Sequence, residues 1–482
     1  MNDRSQEPQL ANAPQEPAVD KWRVMLGISL GVLMYTIDTS IVNIALPTLV
    51  KDLHTDFATV QWVGLSYVLV VTSLVLGAAR LGDLLGKKPL YLGGLIVFTV
   101  SSLLCGLAPS ISVLIGARAL QGIGAVMISA LGAAIIVEVF PASERGKALG
   151  VIGAVVSSGI ALGPSIGGIL IGISGWRSIF LVNIPIGILA SFVVNKYVPV
   201  GRSSDRHQSF DFWGSIAISV VLTCFSLGMT EGQRYGFTSG LPLGLLIVSA
   251  IGLGGFVLLE SRTAQPMLDL SLFRSGAFSL SLFTGWLVFM ALGGSSFTLP
   301  FFLQLVMHYP IERIGLLMAI TPIIGGLVSP LAGNLSDRFG TRSIMLVGLI
   351  LMTIGSLAVS TVDANIRDVD YILRIIPLGL GWGIFQSPNN GAILGAVPPH
   401  RLGIASGLLS LTRTLGQTTG LPLFAAIFAS IALAGQTASD VTLAAPEAIV
   451  KGFQGTFQLC SLLLAIAAAL TVLLWWMESR RK

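Results

Sequence analysis

Apolar runs of membrane-spanning length, separated by short polar clusters, recur from Val24 to Trp476. The first six are Val24–Val50, Val60–Ala79, Leu90–Leu107, Ile111–Val137, Ala148–Ile173 and Ile179–Val198. Two more follow, Phe212–Met229 and Leu243–Leu259. The last six are Phe278–Leu305, Gly315–Ala332, Ser343–Ser360, Tyr371–Ala396, Ile404–Leu433 and Phe457–Trp476. As a helix, ~20 apolar residues at about 1.5 Å each cross a ~30 Å hydrocarbon core. The pattern therefore predicts an all-α integral membrane protein with fourteen transmembrane helices, and an even count puts both termini on one side. Ahead of the first run, residues 1–20 contain no apolar core and read as a disordered polar tail, not a signal peptide.

Composition points the same way. The chain is 53% hydrophobic and 11% charged, whereas a soluble domain carries roughly 25% charged residues. Too few polar groups exist to cover it in water. The net charge of +5 matters less than its distribution. With the termini in the cytoplasm, the outer loops hold only Lys51, Arg177, Arg234, Arg313, Arg367 and Lys451. Every other lysine and arginine outside a span falls on the inner side, as the positive-inside rule requires. Arg118, Arg374 and Arg413 remain inside predicted spans. The three cysteines, Cys105, Cys224 and Cys460, lie in apolar runs without CxxC spacing. They read as small buried hydrophobes, and no disulfide is expected.

An internal repeat organises the spans. ARLGDLLGKK, from Ala79, and GNLSDRFGTR, from Gly333, each join a second to a third helix on the inner side. Both carry a small residue, Leu, Asp, Gly and a basic residue in the same register. The expected division is an N-terminal six-helix bundle at 21–198, an inserted two-helix hairpin with its loops at 199–276, and a C-terminal six-helix bundle at 277–476. A basic tail, 477–482, follows. Parallel repeats of this kind form the halves of many transporters, with the substrate path between them. In each copy Gly86 or Gly340 permits a tight reversal, and Asp83 or Asp337 can accept from a helix amino end. Lys87, Arg338 and Arg342 can pair with acids at helix ends such as Glu138. The plainer reading is an ordinary cytoplasmic turn; its recurrence favours a gating turn.

On these stretches the chain resembles the major facilitator superfamily, and within it the fourteen-helix drug:proton antiporters. IDTSIVNIALP resembles that branch's first-helix motif, with Asp38, Asn43 and Pro47 in place. The turn at Ala79 is similar to the superfamily's second-to-third-helix loop, with Ala79 for the usual glycine and Leu84 for the usual arginine. The second copy has both, as Gly333 and Arg338. RALQGIG, from Arg118, resembles the fourth-helix motif that the family links to proton coupling. GIALGPSIGG, from Gly159, resembles the fifth-helix antiporter motif, and WRSIFLVNIPIG, from Trp176, is similar to a stretch of the fourteen-helix branch. The resemblance implies alternating access, proton-driven efflux of drugs or small amphipathic compounds, and a bacterial inner membrane. It names no substrate.

The candidate residues follow. A charge deep in a bilayer costs roughly 2.5–3.5 kcal/mol even on a lenient scale. Asp38 and Arg118 fall at similar depths in their helices and can be neighbours, either as a structural ion pair or as a proton-coupling pair. All four histidines fall in predicted loops, which leaves Asp38 as the first candidate for carrying a proton. Gln121, one turn from Arg118, lines the path or bonds a neighbour. Gly159, Gly163 and Gly167 form a smooth stripe for close helix approach, continued by Gly168, with Pro164 as a bend. Arg413 has Gln417 one turn on and no evident acidic partner; contact with carbonyls and a cavity that favours an anionic or dipolar group both stay open. Asn43, Trp286, Gln304, Trp382, Gln386, Asn389 and Asn390 complete the substrate-path candidates, each equally readable as packing.

GDLLGKK is no phosphate loop, since its spacing is short and Ser/Thr is missing. No metal-ligand spacing occurs and no nucleotide domain exists to use ATP. The reading is therefore a transporter without cofactor or metal, not an enzyme. Its expected partners are a small molecule, protons and lipid, with no nucleic acid, and it is expected to work as a monomer. A dedicated carrier of one endogenous solute and a non-transporting scaffold or sensor are the alternatives.

Overall fold

The structure, a computed structural model, describes residues 20–141, 144–199, 212–263, 270–397, 402–435 and 440–479. The expected polar tails therefore lie almost wholly outside the described residues, as do His207, His400 and the side chains of Asp83 and Asp337. The first eight helices are α1 (Lys21–Asp52), α2 (Phe57–Val60), α3 (Trp62–Leu85), α4 (Lys87–Gly106), α5 (Ile111–Val139), α6 (Arg145–Ser174), α7 (Ser178–Leu181) and α8 (Asn183–Tyr197). A hairpin follows, α9 (Phe212–Tyr235) and α10 (Gly240–Arg262). The last six are α11 (Gly276–Leu305), α12 (Ile311–Phe339), α13 (Thr341–Val359), α14 (Asp368–Gly395), α15 (Leu402–Ala432) and α16 (Pro446–Ser479). Side-chain caps start several of them. Asp20 accepts from Arg23 N, Ser110 from Val113 N and Ser275 from Phe278 N, satisfying donors the helix leaves open.

Among the described residues, twelve helical stretches are long and apolar enough to cross a membrane. The expected count was fourteen. The two that fall short are α9 and α14. The apolar stretch of α9 is only Ile216–Gly232, short of the ~20 residues a bilayer core asks for. In α14 the charges of Asp368, Asp370 and Arg374 and the amides of Gln386, Asn389 and Asn390 dilute the apolar stretch. The outward faces are apolar: on α10, Ile251 is 71% and Leu258 61% exposed. A multi-pass membrane protein exposes such residues to lipid chains, where a soluble one would bury them.

The repeat extends well beyond the turn that announced it. Gly86 and Gly340 both take a left-handed φ, +94° and +87°, and each ends one helix and starts the next. His54 and His308 are the non-glycine residues with positive φ, 48° and 52°, and occupy equivalent loops. Gly94 of α4 faces Gly124 of α5, and Gly348 of α13 faces Gly381 of α14. Pairings recur likewise: α1 packs on α6 as α11 on α15, and α3 on α5 as α12 on α14. Two seams join the two sets, α6 on α12 and α3 on α15. Helix α9 packs on both partners of the second seam. There Ser219 Oγ donates to Ser73 O at 2.7 Å, and Ser73 and Thr223 hydroxyls meet at 3.0 Å.

The glycine stripe of α6 divides its work between two neighbours. Side chains added at Gly159, Gly163 and Gly167 would strike Thr36, Ser40 and Ile41 of α1. Gly168, one residue on, faces Ile311 O of α12, which a Cβ added there would meet at 2.7 Å, while Gly315 of α12 lies against Pro164 O. Thus the predicted stripe packs α6 onto α1, and Pro164 with Gly168 carries the seam to the second set.

At the loop side, Asp368 accepts from Tyr309 Oη at 2.6 Å and from Arg313 Nε at 2.9 Å. Burial opposes ionisation of Asp368, but these two partners outweigh it and hold its carboxyl below the ordinary value.

Gly94→Ala is expected to destabilise the fold, because its Cβ would sit 2.7 Å from Met127 Cβ and 3.0 Å from Gly124 O. Overpacking of that kind costs about 1–3 kcal/mol. Gly93→Ala, with nothing within 4 Å, serves as the control. Thermal melts of both in detergent test the crossing; equal melting temperatures would remove it.

Candidate functional site

Asp38 sits in mid-helix on α1 with no exposed surface, and Arg118 of α5 is 1% exposed. Arg118 Nη1 donates to Asp38 Oδ2 at 2.5 Å. The other carboxylate oxygen, Oδ1, accepts from Gln121 Nε2 and from Asn183 Nδ2, both at 2.9 Å. Gln121 Oε1 in turn accepts from Arg118 Nη1 at 2.5 Å, and Gln121 Nε2 also reaches Ser102 Oγ at 2.8 Å. Arg118 Nε donates to Val63 O at 3.0 Å, where α3 begins, and its Cζ lies 4.2 Å from the Tyr67 ring centroid. Five helices, α1, α3, α4, α5 and α8, thus meet on one carboxylate–guanidinium pair. Charges this deep persist only when paired and bonded on their remaining faces, and here both conditions hold.

Asn183 and Ser102 were not singled out by sequence reasoning. Asn183 lies inside WRSIFLVNIPIG, so that stretch was its signal. Ser102 has none: a serine in an apolar run is ordinary.

Next to the pair, and separated from it by Tyr67 and Thr39, lies a cavity of about 280 Å³. Its walls come from both helix sets: Tyr35, Thr39, Asn43 and Tyr67 from one, Phe289, Trp382, Gln386, Arg413 and Gln417 from the other. Away from the termini the two helix sets touch through Phe57. Phe57 packs edge-on against Phe297 and Phe301, at 5.4 and 4.8 Å, and its N–H donates to Asp440 Oδ2 at 2.9 Å. Toward the termini the lining reaches Val75, Ser129, Val156 and Ser410. A smaller pocket of about 50 Å³ lies against Arg118 and shares Thr39, Asn43, Tyr67 and Gln417 with the cavity walls.

Of the predicted path residues, Asn43, Trp382, Gln386, Arg413 and Gln417 line this cavity, and Asn390 reaches Arg413. Gln121 belongs to the carboxylate cluster instead. Trp286, Gln304 and Asn389 do not line it: Trp286 packs on Phe283 at 5.3 Å, Gln304 is near the far end of α11, and Asn389 faces Gly285. Among the turn residues, Lys87 Nζ bonds the Glu138 carboxylate. Gly333 faces Ser387, Arg338 is exposed, and Arg342 is half-buried.

A multi-helix membrane protein with a polar-lined cavity between two repeated sets, flanked by a buried ion pair, has the anatomy of a transporter. Residues 28–421 and 282–482 match the Major Facilitator Superfamily, and the chain belongs to it. It is 36% identical over 409 residues to the riboflavin transporter RibZ of Clostridioides difficile (strain 630), covering 85% of this chain and 88% of that one. It is 36% identical over 408 residues to the multidrug resistance protein Stp of Mycobacterium tuberculosis (strain ATCC 25618 / H37Rv), covering 84% and 75%. It is 31% identical over 415 residues to a tetracenomycin C resistance and export protein of Streptomyces glaucescens, covering 85% and 76%. A bacterial homolog of the lysosomal transporter Spinster, solved inward-facing and unoccupied, shares the fold, with a TM-score of 0.67 at 15% identity over 94% of this chain and 96% of that one.

Asn183→Ala removes one donor from a buried carboxylate and is expected to cost about 1.5–3 kcal/mol, read as a lower melting temperature. In an Asp38→Asn background the same change is expected to cost less. Additive losses in that double-mutant cycle would mean the Asn183 bond carries no stability.

Proposed function

We propose that the chain is a proton-driven exporter of small amphipathic compounds, working by alternating access. The observation that carries this is the buried Asp38–Arg118 pair beside a cavity walled by both helix sets. Relatives named for multidrug resistance and for export support it. In this reading the chain is of the fourteen-helix drug:proton antiporter branch, with α9 and α14 spanning in addition to the twelve apolar helices. Residues 21–198 and 277–476 form the two rocking bundles, and 199–276 form a peripheral inserted hairpin. Both termini are cytoplasmic in a bacterial inner membrane, and the monomer is the working unit. We take the Phe57 contacts to close the cavity on the side away from the termini, which makes this an inward-facing state ready to load.

The proton role follows from chemistry. Burial raises a carboxyl pKa and an adjacent guanidinium lowers it. Rocking that shifts Arg118 relative to Asp38 changes that balance, so the carboxyl takes a proton from outside and releases it inside. The paired turns at Gly86 and Gly340, with Asp83, Lys87, Glu138, Asp337, Arg338 and Arg342 around them, act as the cytoplasmic gate. A dedicated carrier of one endogenous solute is the second reading, favoured by the similarity to a riboflavin transporter.

Proteoliposomes with an imposed proton gradient test the first reading. Wild type is expected to move fluorescent amphiphiles against proton flow, with internal pH changing in step. Asp38→Asn is expected only to equilibrate them. Full coupling in that variant would make Asp38 a structural partner of Arg118 and send the proton elsewhere. Protection against a broad drug panel in an exporter-deficient host, or against none with one metabolite accumulating, separates the two substrate readings.

A further inference from the structure

The cavity has a charge that the ion pair does not explain. Among the described residues that line it, Arg413 of α15 is the one charged side chain. The two other arginines within predicted spans have acids beside them: Arg118 holds Asp38, and Arg374 lies near Asp370. Arg413 has none. Its Nη2 reaches Asn390 Oδ1 at a long 3.4 Å, and its Nε is buried without a partner. Its Cζ lies 5.6 Å from the Phe289 ring centroid. The titratable group facing it from the other helix set is the Tyr35 hydroxyl, and Asp38 has no surface toward the cavity.

A guanidinium carries five N–H donors in a planar fork and no acceptor. Left short of partners in an apolar wall, it favours an anionic oxygen, which it can bind with two parallel bonds. A second unmet donor lies in the same lining, Trp382 Nε1. The remaining walls include the rings of Tyr35, Tyr67 and Phe289. A cation would meet like charge here and no carboxylate.

Taking the cavity as the transport site, as proposed above, we infer that its cargo is a flat, apolar molecule bearing an anionic oxygen group, a carboxylate or an ionised phenol or enol, docked on Arg413. Export of such an anion against an inward proton moves net positive charge inward. An inside-negative potential then drives the cycle in the same direction as the proton gradient.

Three probes of one shape test this: 2-naphthoate, its neutral methyl ester and 2-naphthyltrimethylammonium. Each is offered as a radiolabelled cargo and as a competitor of the fluorescent amphiphiles. The proteins are wild type, Arg413→Gln, Arg413→Lys and Asp38→Asn, with melting temperatures to show that each is folded. Wild type is expected to prefer the carboxylate. Arg413→Gln is expected to weaken carboxylate binding about tenfold or more, and Arg413→Lys to keep part of it. Asp38→Asn is expected to bind the carboxylate without driving it uphill. Preference for the quaternary ammonium, no inhibition by the carboxylate, or an unchanged preference in Arg413→Gln overturns the inference and leaves proton-driven export standing. If wild type moves neither the probes nor the amphiphiles, the export reading falls, and this inference with it.

Discussion

A carboxylate and a guanidinium facing each other out of reach of water fix the arrangement of the first helix set. Asp38 and Arg118 each lose their hydration on folding. An isolated charge at that depth is tolerated only at a cost of roughly 2.5–3.5 kcal/mol or more. The pair returns that energy only with good geometry and further hydrogen bonds. Gln121, Asn183 and the Val63 carbonyl supply those bonds, and each comes from a defined place on its helix. Helices α1, α3, α5 and α8 cannot slide past one another without breaking one. Apolar packing alone would leave such register loosely set, because lipid chains are as apolar as leucine and offer no penalty for a slip.

Glycine does the complementary work. Where α4 crosses α5 and α13 crosses α14, backbone meets backbone with no side chain between. On α6 two adjacent glycine registers face different partners, one toward α1 and one toward α12. The helix is thus bound to its own set along one line and to the other set along a neighbouring line. The second seam, α3 on α15, includes the Thr72–Thr418 hydroxyl contact at 3.2 Å and has α9 lying against both its helices. Equivalent seams in a repeated architecture are therefore built differently, and the inserted hairpin is placed at one of them.

Much of this was readable beforehand, for physical reasons. Long apolar runs can hardly be anything but membrane helices, and Asp38 stood out because a charge in such a run is expensive. The Asp38–Arg118 pairing followed from matched depth. Less readable were features that depend on three-dimensional closeness. Ser102 bonds Gln121 and Tyr67 lies under Arg118, but neither has a composition or spacing to mark it. Asn389 and Trp286 looked like path residues, yet helix rotation turns them away from the cavity, and rotation is poorly set when an apolar helix carries polar residues on several faces. The count of fourteen spans exceeded the twelve of membrane-crossing character because the apolar stretch of α9 is short and α14 trades apolar residues for amides and charges. The histidines were legible as loop residues, but the left-handed backbone of His54 and His308 was not.

Asp38 has no exposed surface, and Tyr67, lying under Arg118, stands with Thr39 between the pair and the main cavity. Two ligands that occupy different compartments do not displace each other by contact. Any obligation to exchange one for the other must then be written into which conformations are allowed to interconvert, loaded or empty. The failure mode of such a machine is slippage: a forbidden crossing taken with one compartment unfilled, which wastes the gradient without blocking the cargo. In the proposed cycle, the side chains in the wall between them, Tyr67 and Thr39, would set the tightness against slippage without holding the cargo's charge.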